Sequence, residues 1–127
     1  LALIGRFGEP AKVPVKGLSH ITGGGIPSKL KRVLKKSGCG ASLTGLWTPH
    51  QALTDIIKLG SVETEEAYRT WHMGSGMLVI VEEQHAAKAM ELLAANGIQA
   101  KRAGTVKEKP TIEITAFDGK ALSFAAK

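Results

Sequence analysis

Cysteine is almost absent from this chain of 127 residues, which contains Cys39 alone. A single cysteine cannot form an internal disulfide, and it cannot make a structural zinc site by itself. The sequence also has no HExxH pattern and no Cys/His set at ligand spacing, so we expect no metal site within it. This cysteine usage is typical of the cytoplasm, where we expect the protein to be located.

The sequence also lacks any run of about 18 uncharged apolar residues, so we expect no membrane-spanning helix and no membrane partner. It shows no basic and apolar leader with a small-residue cleavage site, and we therefore expect no secretory signal. The first residue is Leu1 and not methionine, from which we expect the chain to be a piece of a longer protein.

Aromatic residues are few, at 5% of the chain, whereas basic residues outnumber acidic ones by 17 to 11 and give a net charge of +6. A net positive charge favours anionic partners. No aromatic side chain is interleaved with the basic ones for base stacking, so we do not expect nucleic acid as the partner. The basic run is interpreted either as a solvated helix face or as a source of attraction for phosphate in a nearby site. Its cations are Lys29, Lys31, Arg32, Lys35 and Lys36.

Helical and alternating apolar patterns follow one another along the chain, and an Asp-Gly pair at 118–119 predicts a terminal hairpin. We therefore predict one domain over residues 1–127 of α+β (mixed α/β) class, with helices packed on a mixed, mostly antiparallel sheet and an irregular lead-in over residues 1–16. The predicted strands are 18–22, 41–43, 77–81, 98–106, 111–115 and 121–125. Four helices are predicted. The first runs from Ile26 to 36, and the second begins at Thr48-Pro49 and ends at Gly60, with Leu53, Ile56 and Ile57 buried. The third runs from a Thr64 cap to Trp71, and the fourth runs from Glu83 to Asn96, with Ala86, Ala87, Met90, Leu93 and Ala94 facing inward. The uniformly apolar strand 77–81 is expected to be central and covered on both faces.

The most informative segment is His20–Gly25, in which Thr22 precedes Gly23, Gly24 and Gly25. Glycines let a backbone approach a ligand closely, and Pro27 suits the first turn of a helix, whose free N–H groups attract anions. The segment therefore predicts a phosphate cradle, although it differs from the Walker and GxGxxG patterns. The alternative is a flexible turn before a surface helix.

A second glycine-bearing loop, residues 68–77, contains Arg69, Thr70, Gly74 and Gly76. Arginine offers a planar fork of donors that fits phosphate or carboxylate. The alternative is a tight loop in which Arg69 pairs with Glu65 or Glu66. His72 is a weaker site candidate in this loop.

His20 lies three residues before the glycines. An imidazole there could act as an acid, a base or a phosphate donor near neutral pH. A purely structural histidine at a strand end is the alternative.

Together these segments resemble the C-terminal half of the aminoimidazole ribonucleotide (AIR) synthetases, also called phosphoribosylformylglycinamidine cyclo-ligases. The resemblance extends over nearly the whole chain from about Val15, and its two separated motifs occur in the family's order. The similar segments are 15–25, 32–34, 66–70, 74–77, and 92–97 with the strand that ends at Gly104.

This resemblance implies an AIR synthase-type C-terminal domain that works with an N-terminal ATP-binding domain absent from this chain, in a full-length homodimer. The implied reaction is ATP-dependent closure of the imidazole ring in purine biosynthesis, from formylglycinamidine ribonucleotide to aminoimidazole ribonucleotide with ADP and phosphate. ATP and Mg²⁺ would be bound mainly with the N-terminal domain, and the isolated chain would be inactive. The implied catalytic residue is His20, and those implied to hold phosphate or the nucleotide-like substrate are Thr22, Gly23, Gly24, Gly25, Arg69, Thr70, Gly74 and Gly76.

The chain departs from the family pattern at two places near this implied site. Ser28-Lys29 stands where an acidic residue and asparagine are more frequent, and His72-Met73 replaces asparagine and a small residue. Two alternatives therefore stay open. One is a paralogous ATP-dependent kinase or synthetase domain with another substrate, and the other is a non-enzymatic basic module that binds phosphate or nucleic acid through residues 26–36.

Overall fold

The computed structural model describes residues 1–126 and has the predicted α+β class, with helices packed on a mixed sheet. Within these residues, no helix combines the length and the apolar composition that crossing a bilayer requires. The strands are β1 (Val15–His20), β2 (Gly40–Leu43), β3 (Met77–Val81), β4 (Gly104–Lys107), β5 (Thr111–Thr115) and β6 (Ala121–Ala125). The helices are α1 (Gly25–Leu34), α2 (Gln51–Leu59), α3 (Thr64–Thr70) and α4 (Ala86–Ala95), with single 3-10 turns at Lys35–Ser37 and Glu83–His85.

The larger sheet has the strand order β4-β2-β5-β6 and is mostly antiparallel, as predicted. β2 runs antiparallel to β4 and parallel to β5, with Ala41 opposite Ile112, and β5 runs antiparallel to β6. Alternate residues of β5 and β6 are buried, among them Ile112, Ile114, Leu122 and Phe124. This period-2 burial is the pattern of a sheet with one face on a core and the other towards solvent.

The predicted Asp-Gly hairpin joins β5 to β6. Gly119 has a φ of +84°, a backbone conformation that residues with a side chain rarely adopt. The Ala116 amide donates to the Lys120 carbonyl oxygen across the turn at 2.8 Å. The Asp118 carboxylate accepts from the Lys120 amide at 3.1 Å. The turn residues therefore carry the local signal that made this element predictable.

The chain divides into two compact units, and the first consists of residues 1–18 and 79–102. Its core is formed by Leu3, Val13 and Ala89, with partly buried apolar side chains packed against them. The irregular lead-in therefore supplies two of the three buried core residues of this unit, which its lack of periodicity did not predict. The second unit, residues 19–78 and 103–126, contains the larger sheet, α1, α2 and α3.

Several predicted boundaries and faces are wrong. β3 is not a central strand, because it pairs with β1 alone in a two-stranded sheet, and Met77 is 53% exposed. The predicted strand 98–106 is reduced to β4, since residues 98–103 carry no strand. β1 begins at Val15 and ends at His20, before the predicted end of that strand.

The helices differ from the prediction in phase and in their caps. In α2 only Ile57 is buried, and Ile56 is 53% exposed. The buried face of this helix is therefore narrower than the predicted face of Leu53, Ile56 and Ile57. In α4 the buried position is Ala89, and Ala87 and Ala94 are exposed. The caps are His50 for α2 and Glu63 for α3, and not Thr48 and Thr64.

Candidate functional site

The structure brings the two predicted glycine loops together within the second unit. Gly25, the first residue of α1, has a φ of +61°. A Cβ at this position would lie 2.0 Å from the Tyr68 carbonyl oxygen and 3.0 Å from the Trp71 carbonyl oxygen. Only a residue without a side chain permits this approach, so Gly25 is the point at which the first loop packs against the end of α3.

A backbone hydrogen bond joins the loops at a second point. The Ile21 amide donates to the Gly76 carbonyl oxygen at 2.9 Å. The first bond of the glycine loop itself runs from the Gly25 amide to the Thr22 carbonyl oxygen at 3.0 Å. The two glycine loops are therefore neighbours on one side of the second unit.

The second loop is held in one conformation by its own backbone. The His72 Nδ1 atom accepts from the Gly74 amide at 3.0 Å. Met73 is fully buried and has a φ of +49°, a left-handed conformation that is uncommon for such a residue. A Cβ on Gly74 would lie 2.9 Å from the Thr48 carbonyl oxygen. His72 and Met73 thus shape the loop themselves.

Arg69 forms an ion pair with Glu65, with 2.7 Å between its Nη2 atom and the carboxylate, as one of the two interpretations of the sequence anticipated. Its guanidinium also lies over the Phe124 ring, 4.7 Å from the ring centroid, in cation–π geometry. Thr70 donates to Glu66 at 3.0 Å. About half of the Arg69 side chain remains exposed, so its charge is oriented by the protein and still open to a ligand.

Free donors lie in the glycine loop. Among the described residues, no acceptor bonds to the amides of Gly23 and Gly24. Gly23 is exposed and Gly24 is half-buried, and His20 is exposed at the end of β1. Unpaired amides next to an arginine form an arrangement suited to binding an oxyanion.

Two buried hydroxyl groups near the loops were missed by the sequence interpretation. Ser19 and Ser75 are 2% and 3% exposed, and neither Oγ atom has a hydrogen-bond partner. No local signal distinguishes a buried serine from an exposed one. Phe124 was missed as a neighbour of Arg69 for a similar reason, since that contact joins α3 to a distant strand.

Helix α3 is anchored to the terminal hairpin at its first residue, Thr64, and near its end, at Tyr68. The Phe117 amide donates to the Tyr68 hydroxyl at 3.0 Å, and the Thr64 hydroxyl donates to the Asp118 carboxylate at 2.5 Å. Burial raises the pKa of the Tyr68 phenol above its ordinary value, although the bond from Phe117 acts in the opposite direction. Burial would raise the pKa of Asp118 as well, but the hydrogen bonds from Thr64 and from the Lys120 amide outweigh it and lower that pKa.

The acidic, histidine and cysteine side chains are scattered over the fold. Over residues 1–126, no three or more His, Cys, Asp and Glu side chains come together in a group that could hold a metal ion. The candidate site consists of amides, hydroxyls and one arginine, which are donors to an oxyanion and not ligands for a magnesium ion.

Comparison with known protein families gives a match that reaches into both units. The model of the family described as "AIR synthase related protein, C-terminal domain" matches residues 4–116. The matched region includes both glycine loops, α3 and α4.

Several curated relatives carry the name phosphoribosylformylglycinamidine cyclo-ligase. The one from Myxococcus xanthus is 42% identical over 96 residues, which is 75% of this chain and 28% of that protein. The one from Thermoanaerobacter sp. (strain X514) is 38% identical over 97 residues, 76% of this chain and 29% of that protein. The one from Chromobacterium violaceum is 37% identical over 97 residues, which is 76% of this chain and 28% of that protein. The chain thus spans less than a third of the length of these relatives.

Proposed function

The chain belongs to the family of the C-terminal domain of AIR synthase related proteins, and from this premise we propose that it is the C-terminal domain of an ATP-dependent cyclo-ligase of purine biosynthesis. The proposed reaction converts formylglycinamidine ribonucleotide into aminoimidazole ribonucleotide, with ADP and phosphate as the other products. The observation that best supports this proposal is the contact of Gly25 with the end of α3, because it brings the two glycine loops against each other.

The proposed work of this domain is to bind and orient phosphate. The free amides of Gly23 and Gly24 and the exposed part of the Arg69 guanidinium hold oxyanions of the substrate, and the Thr22, Gly25, Thr70, Gly74 and Gly76 backbones shape the loops around it. Catalysis of phosphoryl transfer is mostly positioning and stabilisation of charge, which such a site provides.

His20 is the one side chain to which we assign a proton in the reaction. It is exposed at the end of β1, three residues before Gly23, and imidazole is the side chain that most often acts as an acid or a base in catalysis. ATP supplies the phosphoryl group that activates the substrate amide when it is bound. We assign ATP and Mg²⁺ to an N-terminal domain that completes the site, in a cytoplasmic homodimer.

The test is a chimera in which the part of this chain that matches the Myxococcus xanthus relative over 96 residues replaces the corresponding segment of that protein. We expect ATP-dependent formation of aminoimidazole ribonucleotide, and we expect His20→Ala in the chimera to lower kcat with little change in KM, since a group that moves a proton acts mainly in the transition state. A loss confined to KM would assign His20 to binding.

A second chimera separates the cyclo-ligase from a paralogous enzyme. It carries the residue types more frequent in the family at the departing positions, as Ser28→Glu, Lys29→Asn, His72→Asn and Met73→Ala. Activity of the unaltered chimera supports the proposal. Activity that appears only after these four changes would overturn it, because the natural side chains would then be those of a domain with another substrate. A folded chimera that is inactive in both forms would also overturn it.

A further inference from the structure

An open groove of about 640 Å³ runs beside α1 in the second unit. Its volume lies within the range of small-molecule sites, about 300–1,000 Å³. Four of its lining residues are cations, Lys31, Arg32, Lys35 and Arg69, and Phe124 is among its apolar lining residues. It touches the candidate site only at Gly24 and Arg69, so most of the groove is a separate surface.

Among the residues that the structure describes, the cations that α1 and the turn after it contribute to the groove have no acidic partner. Over residues 1–126, the ion pairs join other basic groups to nearby carboxylates, and no carboxylate lies within ion-pair distance of Lys31, Arg32 or Lys35. Lys31 and Lys35 stand one helical turn apart, so their like charges repel each other on the same face.

A structural explanation accounts for only part of this arrangement. Cations near the end of a helix interact favourably with its macrodipole, and Lys31 and Arg32 lie in the last turn of α1. That interaction explains why the cations are tolerated, but it places no demand on which side of the helix they occupy. The same helical segment carries Lys29 and Lys36, which do not line the groove.

We propose that this groove binds a di- or triphosphate group, either as inorganic polyphosphate or as part of a nucleoside polyphosphate. Adjacent phosphates can contact several of the four cations at once, whereas a single phosphate reaches fewer of them, and charge-assisted contacts to phosphate are the strong ones. Single-stranded nucleic acid is disfavoured because Phe124 is 5% exposed under the Arg69 guanidinium, which leaves no ring for a base to stack on.

The test is calorimetric titration of the 127-residue chain with sodium tripolyphosphate, pyrophosphate, orthophosphate, AMP, ADP and a thymidine oligonucleotide. We expect tripolyphosphate to bind at least about tenfold more tightly than orthophosphate, since it makes more charge-assisted contacts. ADP binding as tightly as inorganic pyrophosphate would identify the phosphates alone as the recognised group, and tighter binding of ADP would identify a nucleoside polyphosphate. Both results support the proposal.

A matched pair of double variants locates the binding. K31Q/K35Q removes two cations from the groove, and K29Q/K36Q removes two cations from the same helical segment outside it. We expect the first pair to weaken tripolyphosphate binding about tenfold and the second less than about twofold, with K31R/K35R retaining it. Unchanged circular dichroism and thermal midpoint show that each variant is folded.

Three results would overturn the proposal. One is equal loss in the two double variants, which would indicate a diffuse basic surface. Another is tighter binding of the oligonucleotide than of tripolyphosphate, which would favour nucleic acid. The third is no binding of tripolyphosphate at millimolar concentration. None of these results depends on ring closure by the chimera, so this proposal and the cyclo-ligase assignment fail separately.

Discussion

Substitution of Gly25 by alanine tests the contact on which the candidate site depends. The added Cβ would lie 2.0 Å from the Tyr68 carbonyl oxygen, far inside any normal contact, so either α1 or the end of α3 must move. The left-handed φ of +61° adds backbone strain of about 1–2 kcal/mol for an L-residue. Overpacking of this kind costs about 1–3 kcal/mol more. We therefore expect Gly25→Ala to lower the free energy of unfolding by about 2–5 kcal/mol.

Two further glycines of the same unit separate strain from overpacking. Gly38 has a similar φ of +69°, but a Cβ there would meet no atom within 4 Å, so Gly38→Ala measures strain alone, about 1–2 kcal/mol. Gly23 has neither a positive φ nor a close neighbour, and Gly23→Ala should change stability by less than about 0.5 kcal/mol.

The assay is urea denaturation followed by tryptophan fluorescence. Trp47 and Trp71 both lie in the second unit, so the signal reports the unfolding of the part that contains Gly25. The quantity of interest is the difference between Gly25→Ala and Gly38→Ala, which we expect to be about 1–3 kcal/mol. A difference below about 0.5 kcal/mol would refute the close approach of the two loops, because strain would then account for the whole effect.

Two other predictions concern the anchor between α3 and the terminal hairpin. Tyr68→Phe removes the acceptor of the Phe117 amide and should destabilise the protein by about 1–2 kcal/mol in the same urea assay, and an unchanged midpoint would contradict the hydrogen bond. Asp118→Asn should make the free energy of unfolding depend less on pH in the acidic range. The pKa of Asp118 is lowered on folding, so its contribution is present above the unfolded pKa and is lost as pH falls through the folded one. Below about pH 4 the natural protein should therefore lose stability more steeply than the variant, and parallel profiles would contradict this assignment.

The sequence was most informative where the determinants are local. The Asp118-Gly119 turn depends on a glycine that accepts a positive φ, and it was predicted from that pair of residues alone. The position of β3 depends instead on its pairing partner. A uniformly apolar strand fits a central position and a two-stranded sheet equally well, because periodicity does not show what covers each face.

The candidate site divides in the same way between local and non-local determinants. The two loops could be recognised from their glycines, and the ion pair of Arg69 with Glu65 was anticipated because residues four apart on a helix are neighbours. The contact of Gly25 with Tyr68, the stacking of Arg69 on Phe124 and the burial of Ser19 and Ser75 join distant segments, and no local pattern encodes them.

Some cations of the segment 29–36 line the groove and others do not, and tertiary packing decides which of them do. The sequence placed five cations in one helical segment and offered no means of ranking them, since each has the same formal charge. Packing of β6 and α3 against α1 ranks them, because Phe124 and Arg69 complete a concave surface beside Lys31 and Lys35 and not beside Lys29 and Lys36. A diffuse field acts on every anion, whereas a concave set of cations discriminates by the number of charges that reach it together. Selectivity for linked phosphates therefore requires the tertiary fold, and it should disappear under conditions that unfold this unit while the net charge stays the same.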